Sequence, residues 1–368
     1  MEAKKQIAKK YDALTGLRWF AALAVVFRHN LPPTNSVFYS FFANGYSGVT
    51  IFFVLSGFVI TFRYLDQFCE PSGRALWNYF VARFARIYPS YFAVLVAVGI
   101  VFGVPDFSVV LRHIFVIQTW SGNSDVAYAL NGPGWSIGVE FFLYLIFPLL
   151  AIWFARKSRN VGWTLTLAFI VVVVLAIVTI YFSSGDRRFL SEIDANSAWR
   201  WIYRNPVFRI GDFILGMTVA VLLTARRFMS SSRTLAIGLG SLSIAWILVA
   251  MGSARTVGSA ASMDLLYAVP TTFLIYSLVV PADHFIRTVL ESRVVVWLGE
   301  ISFAVYLVHV PLGSKLEPFI QSNIEINHWS INLLFVVIGT IIGGSILHYT
   351  IERPCQRFLR KLLSVDHQ

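Results

Sequence analysis

About ten stretches of this chain are apolar over the length a helix needs to cross the hydrocarbon of a bilayer, which takes roughly 20 residues. They fall at about 15–31, 46–63, 80–103, 135–155, 162–182, 206–225, 234–251, 263–280, 297–313 and 330–350. Backbone polar groups in hydrocarbon must be satisfied within the protein, so a spanning chain is either helical or a closed barrel. The alternating apolar and polar residues of a barrel strand are absent here. Only 13% of the 368 residues are charged and 57% are hydrophobic, whereas a soluble domain carries about a quarter charged residues. The sequence predicts an all-α polytopic integral membrane protein with about ten transmembrane helices.

Its formal net charge of +11 then reads as a topology signal. With Lys4, Lys5, Lys9 and Lys10 in the cytoplasm, the interior loops carry Arg63 and Arg74, then Arg156, Lys157 and Arg159, then Arg226, Arg227 and Arg233, then Arg287 and Arg293. Both termini are predicted to be cytoplasmic: a basic amphipathic segment at 1–14 and a basic tail at 353–368 with Arg353, Arg357, Arg360 and Lys361. Between them, 15–352 reads as one transmembrane domain. Residues 107–120 are apolar but short, with Arg112 and His113 at their middle, and counting them as a crossing would invert every later loop. They are predicted to form an interfacial or re-entrant helix on the outer side, with His113 an interface residue. The basic residues are scattered over short loops, which excludes a nucleic-acid surface. Cys69 and Cys355 have no metal or redox spacing, and no metal site is expected.

Ionisable groups inside the apolar runs are the candidates for chemistry, because hydrocarbon is a costly place for them. Arg18 and His29 lie eleven positions apart in the first run, on one helix face and roughly 16 Å apart along the axis. Arg83 and Arg86 share a face at the start of the third run, and three guanidinium groups at one membrane surface suit a phosphorylated ligand. Snorkelling and the charge bias of cytoplasmic helix ends also account for these arginines taken singly. Glu140 falls one turn inside the fourth run, after the Gly132-Pro133-Gly134 break, with Ser136 a reasonable N-cap. Tyr306 and His309 lie one turn apart in the ninth run and face the same way; a packing histidine held by a carbonyl is the alternative to a working Tyr–His pair. Glu352 and Arg353 read as a local ion pair.

An outer-side base joined to a cytoplasmic cationic clamp suggests transfer across the bilayer. A neutral imidazole at His29 suits the general base, with a carboxylate such as Glu140 to orient it. Acyl-coenzyme A suits the donor, its phosphates on arginine and its pantetheine arm threading inward.

Five motifs carry a family resemblance: Arg18 to His29 with ten residues between; Phe52-Phe53-Val54-Leu55-Ser56-Gly57-Phe58; Arg83-Phe84-Ala85-Arg86; Trp135-Ser136 to Glu140; and Tyr306-Leu307-Val308-His309. In this order they resemble the membrane acyltransferase-3 family, whose members O-acylate cell-surface carbohydrates and some small molecules. The resemblance covers nearly the whole chain and is to the stand-alone kind. It implies ten spans in a bacterial cytoplasmic (inner) membrane, an acyl-coenzyme A donor (acetyl-CoA foremost) and an essential histidine at position 29. Arg18, Arg83 and Arg86 would hold the donor; Trp135, Ser136, Tyr306 and His309 would line the site. The acceptor would be a saccharide hydroxyl, on a lipid carrier or at the envelope, or a macrolide-like small molecule or amine. Direct transfer and a covalent acyl-histidine relay use the same residues. A transporter or flippase of a carrier-linked saccharide or anion would use intramembrane Arg, His and Glu equally well, although no duplicated half is visible.

Overall fold

The structure is a computed structural model that describes residues 2–157, 160–224, 233–280, 285–323 and 328–363, with side chains from residue 12 onward except at 157 and 321–323. Arg159, Arg226 and Arg227 of the expected interior loops lie outside the described residues, as do the side chains of Lys4, Lys5, Lys9, Lys10 and Lys157. Among the described residues all regular structure is helical. The principal helices are α1 (Glu2–Arg28), α2 (Ser47–Tyr64), α3 (Gly73–Phe102), α4 (Phe107–Ile114), α5 (Trp135–Lys157), α6 (Val161–Ser183), α7 (Ile210–Thr224), α8 (Arg233–Gly252), α9 (Leu265–Val279), α10 (Arg293–Asn323), α11 (Trp329–Leu347) and α12 (Arg353–Leu363).

Every expected crossing has a helix. Among the described residues, eight helical segments are long and apolar enough to span a membrane; α7, at 15 residues, is shorter, and α1, whose side chains are described only from residue 12, is not among the eight. The 107–120 segment does not cross: α4 has 8 residues, about 12 Å of rise, against a hydrocarbon core of about 30 Å. His113 is not at a wet interface but fully buried, its Nε2 3.0 Å from the Val126 carbonyl. Burial lowers its pKa below the ordinary 6.5, because removal from water penalises the imidazolium.

The chain forms two compact units whose segments alternate in sequence. The first comprises residues 1–66, 151–203 and 207–300. In it α2 and α7 meet backbone to backbone. A Cβ on Gly57 would strike the Phe213 carbonyl, and one on Gly216 would strike that of Val54, so both positions require glycine. Leu17, Ala21, Val54, Phe58, Leu215, Val219, Leu274 and Leu278 pack around this crossing.

A fully buried ion cluster sits in the same unit. Arg209 Nη1 lies 2.8 Å from Asp212 and 3.0 Å from Asp264, and it donates to Thr50 Oγ1 at 3.2 Å. Its Nε donates to the Tyr203 carbonyl and its Nη2 to that of Met263, both at 2.9 Å. One side chain thereby joins α2, the start of α7 and the start of α9.

The second unit comprises residues 67–150, 204–206 and 301–368. Tyr79 of α3 donates to the Tyr144 carbonyl of α5 at 3.1 Å, and its ring packs on Phe68 and Phe147. Helical backbone runs from α11 into α12 through a π turn at residues His348–Glu352. α12 packs beside the start of α3, where Trp77 Nε1 donates to the Leu363 carbonyl at 2.7 Å.

Candidate active site

The first unit carries Arg18 and His29. Helix α1 ends at Arg28, just before Asn30 and the Pro32-Pro33 pair that cannot continue it. The last turn is closed by side chains: Asn30 Nδ2 donates to the Val26 carbonyl at 2.7 Å, and His29 Nδ1 lies 3.0 Å from the Val25 carbonyl. A carbonyl only accepts, so Nδ1 carries the proton and the neutral ring has its lone pair on Nε2. His29 is an exposed residue. Arg18 is half-buried three turns earlier on the same helix.

The second unit carries the other seven expected residues. Ser136 is not an N-cap. Its hydroxyl donates to the Pro133 carbonyl at 3.0 Å and pairs with the Tyr306 hydroxyl at 2.7 Å. Tyr306 and His309 do face one way, with ring centroids 5.6 Å apart. His309 Nδ1 lies 2.6 Å from the backbone carbonyl of Tyr306, which fixes the same tautomer as at His29. His309 and Trp135 are buried. Asn131 holds the two segments together by donating to the Leu307 carbonyl at 3.0 Å.

Glu140, one turn into α5, accepts from the Tyr144 hydroxyl, four residues further along the helix. The Tyr144 ring lies under Arg83, whose Cζ is 5.7 Å from its centroid. The carboxylate and the first arginine of the pair are thus joined through one tyrosine. Arg86 goes elsewhere. It forms an ion pair with Glu352, and its Cζ lies 5.9 Å from the Phe303 ring centroid. Glu352 therefore does not serve as a local partner of Arg353; its second oxygen lies 3.0 Å from His348 Nδ1. Arg83 and Arg86 are also deeper than the end of a helix. α3 begins at Gly73, so they lie about 15 and 20 Å along it.

Sequence reasoning missed Tyr144, His348 and the role of Glu352. The i, i+4 spacing of Glu140 and Tyr144 could have flagged the first. Nothing local announces a pairing between positions 86 and 352. Among the described residues no cluster of His, Cys, Asp and Glu has the makings of a metal site.

Chemically, these parts comprise imidazoles with assigned proton positions, a carboxylate held by a phenol, and guanidinium groups laid on aromatic rings. They are competent for proton transfer and for binding anionic oxygen. The acyltransferase domain family matches residues 11–349. The acyltransferase MdmB of Streptomyces mycarofaciens is 30% identical over 386 aligned positions, covering 95% of this chain and 92% of that protein. The peptidoglycan O-acetyltransferase OatA of Listeria monocytogenes is 30% identical over 176 positions, covering 44% of this chain and 27% of that protein. No solved structure matches the chain. With a family match over most of its length and a relative aligned nearly end to end, the chain belongs to the acyltransferase-3 family of multi-pass membrane proteins.

Proposed function

We propose that the protein moves an acyl group, most simply acetyl, from cytoplasmic acyl-coenzyme A to a hydroxyl of a cell-envelope or exported saccharide, free or on a lipid carrier. It does so from a bacterial cytoplasmic membrane with both termini inside. His29 is the general base. The observation that carries this role is the Nδ1 contact with Val25, which leaves the lone pair on Nε2 of an exposed residue. Nε2 takes the proton as the acceptor oxygen attacks the thioester carbonyl. The tetrahedral intermediate collapses with loss of coenzyme A thiolate, and the imidazolium returns the proton to that sulfur. Glu140, held by Tyr144, is the second catalytic residue of this reading. Arg18, Arg83 and Arg86 hold the donor phosphates. Trp135, Ser136, Tyr306 and His309 line the acceptor side.

The saccharide acceptor is supported by the peptidoglycan O-acetyltransferase among the relatives. The test is release of coenzyme A from acetyl-coenzyme A by purified protein given candidate acceptors, for wild type and His29→Ala. Wild type is expected to release thiol in an acceptor-dependent way. His29→Ala is expected to insert and melt normally and to lose at least about a hundredfold in rate, the usual worth of a general base. Wild-type turnover by that variant overturns the role of His29, and no thiol release with any acceptor favours a transporter.

A further inference from the structure

We propose that Glu352 is a positioning residue for the donor site: it orients the Arg86 guanidinium, and His348 in turn orients Glu352. The inference rests on the reading of Arg86 as a donor ligand. It starts from the π turn at His348–Glu352. A π turn inserts one residue into an α-helix and rotates the helix beyond it, and such turns gather at functional sites. Here the turn lies beside α3 and leaves Glu352 and His348 buried, Glu352 almost completely. A carboxylate taken out of water needs partners on both oxygens. It has them: Arg86 on one and His348 Nδ1 on the other.

Arg86 is placed differently. Its side chain stays 21% exposed where that of Glu352 is 0% exposed, so the ion pair has a buried end and an open end. Glu352 engages Nη1, which carries two of the five N–H donors of a guanidinium, while the Phe303 ring centroid lies 5.9 Å from its Cζ. A free arginine side chain carries about 2 kcal/mol of rotamer entropy, much of which a ligand must remove on binding. A guanidinium already held in direction by an ion pair presents its remaining donors to a phosphate with less to lose. His348 contributes by drawing on the second carboxylate oxygen, which keeps Glu352 from closing around Arg86 in a two-point grip.

The opposite reading is that Glu352 competes with the donor for Arg86, and the two differ in sign. The measurement is the Kd of coenzyme A itself for the full chain in lipid nanodiscs, with melting temperature read in parallel. Glu352→Gln keeps the size and one acceptor but lowers the hold on Arg86. It is expected to weaken coenzyme A binding about three- to tenfold, a change of about 0.7–1.4 kcal/mol. His348→Gln is expected to weaken it by about two- to threefold. In an Arg86→Gln background, adding Glu352→Gln is expected to change nothing further, because the positioning has lost its object. Tighter binding by Glu352→Gln, unchanged binding, or full additivity with Arg86→Gln each overturns the proposal. If Glu352→Gln does not accumulate, the same comparison with His348→Gln decides it. Should Arg86→Gln alone leave the Kd unchanged, the donor reading of Arg86 fails, and this inference with it; Arg86→Gln weakening and Glu352→Gln not weakening removes the inference alone.

Discussion

The tyrosine at position 144 presents its hydroxyl to Glu140 and its ring to Arg83, so one side chain touches two groups that the sequence places on different helices. The two contacts are separable by substitution. Tyr144→Phe keeps the ring under the guanidinium and removes only the hydroxyl. A hydrogen bond to a charged group contributes roughly 1.5–3 kcal/mol, so the rate is expected to fall roughly ten- to a hundredfold if Glu140 works as proposed. Coenzyme A affinity is expected to stay within about twofold, since the cation–π contact is intact. Tyr144→Leu removes both contacts and is expected to weaken coenzyme A as well. Steady-state rates and direct coenzyme A titration on both variants check this; a Tyr144→Phe enzyme at full rate would separate Glu140 from the chemistry. The histidines teach a related point at this scale. Both His29 and His309 direct Nδ1 to a carbonyl of their own helix, at i−4 and i−3. The type and spacing of these residues were legible; the proton position was not, because it depends on a rotamer that only packing selects.

Between elements, the buried Arg209 is the tie that sequence reading passed over. Its carboxylate partners are Asp212, three residues on, and Asp264, more than fifty residues away and at the head of another helix. The hydropathy that reveals a span averages over such residues, and a partner on another helix has no period to betray it. The same blindness hid the pairing of Arg86 with Glu352, while the glycines at 57 and 216 stood in plain view without naming the carbonyls they approach. The energetics of Arg209 are one-sided. Removing one partner of a buried ion cluster is far worse than removing all of it, because the remaining charges are left without compensation in a medium that solvates them poorly. Arg209→Met is therefore expected to destabilise the first unit by about 3–5 kcal/mol, seen as a lower melting temperature in detergent and poor accumulation in membranes. Arg209→Met with Asp212→Asn and Asp264→Asn is expected to recover most of that loss. A single variant that melts like wild type would mean that the cluster does not hold α2, α7 and α9 together.

For the molecule as a whole, the helical plan follows from hydropathy because the bilayer imposes a length that few other constraints mimic. The ten expected crossings all returned as helices for that reason, and the 107–120 segment did not cross because its helix is too short. Sidedness is a separate matter, set by the bias of Lys and Arg toward the cytoplasm rather than by any internal contact. The native cysteines offer a test that needs little engineering. Cys69 is exposed in the connection between α2 and α3, flanked by Arg63 and Arg74, which the charge bias assigns to the cytoplasm. Cys355 lies in α12 and is removed by Cys355→Ser, which leaves Cys69 as the sole thiol. A membrane-impermeant maleimide is expected to modify that variant in inside-out vesicles and to spare it in right-side-out vesicles until detergent is added. The result bears on the chemistry as well as the topology. An even number of crossings separates Cys69 from the N-terminus, so the reagent reports which face the start of α1 occupies, and with it the side from which Arg18 and His29 are numbered. Modification from the outer face would invert the plan. The end of the first helix that carries His29 would then face the cytoplasm, and an extracytoplasmic acceptor could no longer be assigned to that histidine.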